Sequence, residues 1–312
     1  MPSAPAYVSA IFGLAVAVAV GVDLGVFHRD SRRIRLTAAL LETSAWITIS
    51  LAFNLWVYIS RGREAGLQFL DGYVVEKSLS MDNILVFGLI FRGLGVPAEL
   101  QHRVLYGGVI GALAMRALFI TAGVQLLGHF RPVLYLFGAL LLLTGLRIIY
   151  PAAREIRPEC SWLVRIVARA MPLTREFHGN NFLVKREVTW VATPLLLTLV
   201  AIEATDIVFA VDSVPAVLAI TRDSFIAYSS NVFAILGLRA MYFGLADILA
   251  QLRFLPVGLA SILLFVGAKT MLPDWRAVST EDSLAAIAAI LALTAVASFL
   301  WPTRKEGKPR PQ

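Results

Sequence analysis

The sequence predicts an all-α, polytopic integral membrane protein of about nine transmembrane helices, with an inverted repeat of three helices inside it. Three observations point there: the apolar content, the spacing of the apolar runs, and two acidic segments that match one another. With 58% hydrophobic and 16% charged residues over 312 positions, the chain has more apolar surface than a soluble core hides. A bilayer span takes about 20 apolar residues. The stretches that qualify are 7–27, 37–59, 69–91, 105–127, 133–150, 190–220, 225–247, 255–273 and 284–301.

Taken in order, residues 1–68 hold two N-terminal helices. The first has no basic segment ahead of it, and its Arg cluster follows the apolar run, so it reads as a retained anchor and not a cleaved signal. Glu42 and Asn54 interrupt the second. Residues 69–151 form the first three-helix unit and 190–273 the second. Between them, 152–189 reads as a cytoplasmic loop. There Trp162, Leu163, Ile166, Val167 and Ala170 share one helical face, with Arg165 and Arg169 four apart on the other, as in an interfacial helix on anionic lipid. Residues 274–312 supply the last span and a basic tail whose composition predicts disorder from Pro302.

Basic residues set the orientation. With the N-terminus outside and the C-terminus inside, the internal loops hold 18 Lys and Arg and the external loops only Arg61, Arg63, Arg131, Arg222 and Arg276. That asymmetry is the positive-inside pattern, and it accounts for the net charge of +7 with no nucleic-acid partner. The single cysteine, Cys160, excludes an intramolecular disulfide and a thiolate metal cluster.

The chemistry sits in the third and sixth spans. Glu76, Asp82 and Asn83 superpose on Asp206, Asp212 and Ser213 at an offset of 130 residues, and Glu203 adds a fifth acid. The match continues: Arg116 falls on Arg239 at an offset of 123, and Gly145 with Arg147 on Gly267 with Lys269 at 122. Charged residues recurring in the same order make chance similarity of apolar helices a poor account. Three is an odd number of spans, so the second unit enters the membrane upside down, as in secondary transporters with midplane sites.

An acid at membrane depth costs roughly 2.5–3.5 kcal/mol on insertion scales and commonly lines a pathway. Glu76, Asp82, Asn83, Glu203, Asp206, Asp212 and Ser213 are therefore expected to form a cation site, with Arg116 and Arg239 as counter-ions and Lys77 a further base. Arg239 is expected to pair with Glu203, the acid whose repeat position holds Tyr73. On an ideal helix Asp82 and Asp212 point about 120° away from the other acids. A break is expected at Pro215, which deprives the Val211 carbonyl of its donor, and a bend from Ser78 and Ser80. Oxygen ligands favour Mn²⁺, Mg²⁺ or Ca²⁺ over copper or zinc. A structural ion-pair network is the alternative. Five acids against three nearby bases leave about two negative charges, which a divalent ion would neutralise.

The segments 76–83, 206–215 and 230–239 resemble those of the TerC/Alx family of integral membrane proteins, and the likeness runs over about residues 5–302. His178, Gly179 and Phe182 also fit the family pattern, while Met81 stands where a smaller aliphatic residue is usual. The resemblance implies manganese efflux and metal homeostasis within the wider LysE-type group of exporters. It maps the family's acidic motif onto Glu76, Asp82, Asn83, Glu203, Asp206 and Asp212. The family name refers to tellurium resistance, but an oxyanion would be repelled by a negatively charged site, so such a phenotype is expected to be indirect.

The expected protein is thus an inner-membrane, multi-pass exporter of divalent cations, with Mn²⁺ as its substrate ion and no prosthetic group. Its expected partners are that cation and the bilayer; a homo-oligomer or a protein partner stays open. The alternative is a membrane scaffold that metalates or assembles with secreted proteins. An intramembrane aspartyl protease is a third class, and the Gly-x-Gly-Asp motif it would need is absent, so no enzyme is expected.

Overall fold

The computed structural model describes residues 12, 36–130, 132–149, 166, 169, 171–174, 176–186, 189–249, 252–272 and 278–301. The expected first span apart from Phe12, Cys160, most of the interfacial helix and the tail from Pro302 lie outside the described residues. Within them the chain is helical: α1 Leu36–Arg61, α2 Arg63–Gly93, α3 Ala98–His129, α4 Val133–Ile149, α5 Pro194–Ile220, α6 Ser224–Ile235, α7 Leu238–Leu249, α8 Leu255–Met271 and α9 Thr280–Leu300. The spans expected from residue 37 onward fall mostly on helix, but the start of 190–220 is strand and 225–247 is split in two at 236–237.

Length and composition suit α1, α3, α5, α9 and the stretch Ser224–Gly244 to crossing a membrane, while α4 and α8 are apolar but shorter. By contrast α2 turns charged and polar groups inward: Asp71, Glu76, Lys77 and Asn83 are all buried. Lipid-facing helices here are apolar all round, so what selects neighbours is close backbone approach at small residues. Helices α4 and α8 run antiparallel and meet in this way. A Cβ on Gly138 would stand 3.2 Å from the Gly267 carbonyl oxygen, and one on Gly145 would stand 3.0 Å from that of Ala260. Between α3 and α5, Gly108 faces Ile202 and Gly123 faces Leu218. Helix α2 packs against α5 and α6, and α1 against α2 and α7. A cluster of aromatic rings joins α1, α2 and α6, with Phe53 and Phe233 centroids 4.5 Å apart and Phe12 against both.

Two expectations about backbone are corrected. No break occurs at Pro215, because α5 runs on through it to Ile220; its Val211 neighbour faces outward. The break lies instead at Leu236–Gly237, between α6 and α7. Gly237 has φ +84°, a left-handed conformation that glycine adopts at little cost, and it abuts the Trp46 ring. The chain is also not wholly α. Leu183–Arg186 (β1) and Thr189–Ala192 (β2) form an antiparallel hairpin. Its β-branched and aromatic residues Val184, Thr189, Trp190 and Val191 suit strands. Thr193 anchors the hairpin to α5, donating its hydroxyl to the Asn181 carbonyl at 2.8 Å, and Arg103 of α3 lies over the Phe182 ring at 5.5 Å.

Candidate functional site

Two helix positions organise the site. Glu76 lies on the inward face of α2, wholly buried, and Arg116 reaches it from α3, itself 1% exposed. The Arg116 guanidinium donates to one Glu76 oxygen, and Asn231 of α6 donates its amide to the other at 2.9 Å. Both carboxylate oxygens are thus occupied in a site without water contact. Such a pair is stable only while both members remain, since losing one strands a buried charge.

Asp206 lies across from this pair on α5. It is 4% exposed, and Arg116 is its chief electrostatic partner. Its Oδ2 makes no hydrogen bond among the described residues, nor does the buried Ser80 hydroxyl. Both residues line one narrow pocket between α2, α3, α5 and α6–α7, whose polar lining is Ser80, Asn83, Arg116 and Asp206. Gly108 and Ala112 form its α3 wall, while Phe87, Leu105, Ile202 and Leu238 close it with apolar groups. Buried oxygens without donors are costly in such a setting, and an anionic oxygen, a hydroxyl and an amide are hard-cation ligands.

The geometry divides the sequence-predicted residues. Glu76, Asn83 and Asp206 gather with Arg116. Ser213, one stripe with Asp206, is buried with its hydroxyl unpartnered among the described residues, but it does not line the pocket. Asp212 points elsewhere: it accepts from Thr144 of α4 at 2.7 Å, as six residues of unbroken helix after Asp206 require. Asp82 is half-buried and outside the pocket lining. Glu203 lies half-buried over Gly111 of α3, so close that a Cβ there would collide with its carboxylate. Consequently no three Asp, Glu, His or Cys residues converge among the described residues. The single seven-residue cage is not assembled.

The counter-ion expectations also change. Arg239 does not pair with Glu203; its Nη2 donates to Glu42 of α1 at 3.0 Å, both side chains buried. The break at Gly237, two residues earlier, turns Arg239 toward α1. Among the described residues Lys77 meets no acid through a hydrogen bond; its ammonium donates to the Ala234 carbonyl at 3.2 Å, next to the break. Of the two serines expected to bend α2, Ser78 bonds back to the Val74 carbonyl at 2.6 Å, whereas Ser80 turns to the pocket. Sequence reasoning missed Asn231 and Glu42 as partners. Glu42 carried a signal, a lone acid in an apolar span, and Asn231 sits in the 230–239 segment beside the repeat-related arginine.

Similarity to known proteins accords with this architecture. Residues 61–308 match the family described as "Integral membrane protein TerC family". An uncharacterized membrane protein of Myxococcus xanthus is 44% identical over 285 residues, covering 91% of this chain and 89% of that protein. The Escherichia coli K12 protein named "Putative membrane-bound redox modulator Alx" is 38% identical over 308 residues, covering 96% of both. A membrane protein of Rickettsia bellii is 36% identical over 290 residues, 93% of this chain and 96% of that one. No solved structure matches the chain.

Proposed function

We propose that this chain, which belongs to the TerC family of integral membrane proteins, exports divalent metal cations, manganese foremost, through the pocket at Asp206. The observation that carries this reading is that Asp206 and Ser80, each with a buried oxygen that has no hydrogen-bond partner among the described residues, line one pocket between helices. With Asn83 beside them they offer carboxylate, hydroxyl and amide oxygen, and water completes the coordination that a hard ion such as Mn²⁺ takes. Arg116 compensates Asp206 and Glu76 in the empty state. An arriving cation takes over that role, and the guanidinium withdraws onto Glu76, to which it is already bonded. Asp82, Glu203, Asp212 and Ser213 then serve as stations along the path and not as one cage.

Alternating access in this reading rests on an inverted repeat, α2–α4 against α5–α8. The α4–α8 contacts support it. Gly138 matches Ala260 and Gly145 matches Gly267 at the 122-residue offset, and the contact of Gly138 with Gly267 mirrors that of Gly145 with Ala260. An antiparallel pair so related has its two-fold axis in the membrane plane. The bias of basic residues supports an inner-membrane setting with the N-terminus outside.

The test is direct. Purified protein in liposomes enclosing a dye quenched by Mn²⁺ should carry the ion inward down its gradient, faster than protein-free vesicles. Quenching at the protein-free rate would instead favour a membrane scaffold that metalates secreted proteins.

A further inference from the structure

A second acid lies outside the pocket. Asp71, five residues before Glu76 on α2, is 0% exposed, and neither of its carboxylate oxygens has a hydrogen-bond partner among the described residues. Five residues turn a helix through about 500°, so Asp71 looks away from Glu76. It looks toward α8 and α9, where its neighbour one turn on, Val75, packs with Ile262, Leu263, Val266 and Ile287.

Lys269 of α8 acts on Asp71 through its charge, with no hydrogen bond between them. Its ammonium is bonded to the Ser283 hydroxyl of α9, and it also senses Glu64 of α2 and Asp282 of α9. Those last groups form a wet rim. Thr280 donates to Glu64 at 2.7 Å, and Arg63 pairs with Glu281 at 2.6 Å with both side chains more than half exposed. Polar groups therefore run from water at the rim, through Ser283 and Lys269, to a carboxylate that nothing solvates. The same carboxylate lies about 7.5 Å of helix rise from Glu76.

A carboxylate so placed is stable in two ways: as a neutral acid, or as an anion with the Lys269 ammonium swung from Ser283 onto it. We infer that Asp71 is the proton-carrying group of the transport cycle, separate from the cation pocket and in exchange with the α2–α8–α9 rim through Lys269. This inference rests on the export reading. A hydronium ion of the rim water gives up the proton and is left as water, the O–H bond of the Asp71 acid forming while Lys269 holds Ser283. When Lys269 swings onto the carboxyl that O–H bond breaks, and the proton passes to water on the opposite side of the membrane, which becomes hydronium. One proton exchanged for one divalent ion moves one net positive charge.

Proteoliposomes containing a pH dye and a Mn²⁺ dye test this. In the wild type, Mn²⁺ flux drives opposite proton movement. In Asp71→Asn, of the same shape, proton movement is lost while exchange of Mn²⁺ for Mn²⁺ across the bilayer persists, and Asp71→Glu restores the proton signal. Wild-type proton movement in Asp71→Asn overturns the inference, and so does loss of both signals together, which would mark a structural role. If the wild type moves no Mn²⁺, the export reading is what has failed. A hydrophobic carbodiimide then decides for Asp71 alone: an adduct whose yield falls as pH rises supports a protonated acid, and no adduct at any pH overturns it.

Discussion

Arg116 and Arg239 stand at matching positions in matching segments, yet they do opposite things. Arg116 lies mid-way along α3, which runs unbroken from Ala98 to His129, and its guanidinium enters the molecule's centre to hold Glu76 and face Asp206. Arg239 follows the break at Leu236–Gly237 and is turned outward to Glu42 of α1. A second difference falls beside the first. Asn231 of α6 fills the space next to Glu76, whereas its counterpart on α3, 123 residues earlier, is Gly108, which leaves the space next to Asp206 open. The repeat thus makes two similar half-sites, and two local changes turn one into a closed ion pair and the other into a pocket. A binding site arises from departure from symmetry.

The comparison can be broken most severely at Arg116. Arg116→Gln strands Glu76 in a dry interior, and breaking a buried pair costs about 3–5 kcal/mol. Melting in detergent should show that loss, and Arg116→Gln with Glu76→Gln should recover most of it. Next comes the partner of Arg239. A double-mutant cycle with Glu42→Gln should give a coupling of about 0.5–3 kcal/mol, while the cycle with Glu203→Gln should be additive; coupling to Glu203 would contradict the geometry. Gly108→Asn sharpens the contrast by giving the open half-site the amide of the closed one. Stability should change by about 1 kcal/mol, because Ile202 must yield slightly to the new Cβ, whereas Mn²⁺ flux in liposomes should vanish. The smallest effect is expected at Thr144→Val, which removes one hydrogen bond to Asp212. That costs about 0.5–1.5 kcal/mol and should lower Mn²⁺ flux only slightly, since Asp212 keeps its carboxylate on the path and is not a pocket ligand.

Much of this was legible in the sequence because membrane helices are long, apolar and bounded by charge. The α1, α4 and α5 spans could be placed within a few residues from composition alone, whereas α3 starts at Ala98, well before the expected 105; and an arginine in an apolar run announces a buried acid. What the sequence hid is instructive. Glycine at 237 looked like one more small residue in an apolar helix, and only its left-handed backbone, with Trp46 packed against it, marks a break. Pro215 looked like the stronger breaker, but α5 tolerates it, with Val211 facing outward. Pairing followed the break: a straight α6–α7 could have aimed Arg239 at α5, and a broken one aims it at α1. Asp71 lies outside both acidic segments, near the start of the expected span 69–91, with Ala201 at its repeat position, so nothing in the matched motifs marked it. The β-hairpin was hidden by shortness, since four strand-favouring residues beside a long apolar run leave little periodic signal.

The central claim is that the pocket oxygens of Asp206 bind the transported ion. Titration of Mn²⁺ into purified protein, followed by the loss of the free-ion paramagnetic signal, tests it most directly. Saturable binding in the wild type and in Asp212→Asn, with binding lost in Asp206→Asn of unchanged melting temperature, is the predicted result. Undiminished binding by a folded Asp206→Asn would contradict it.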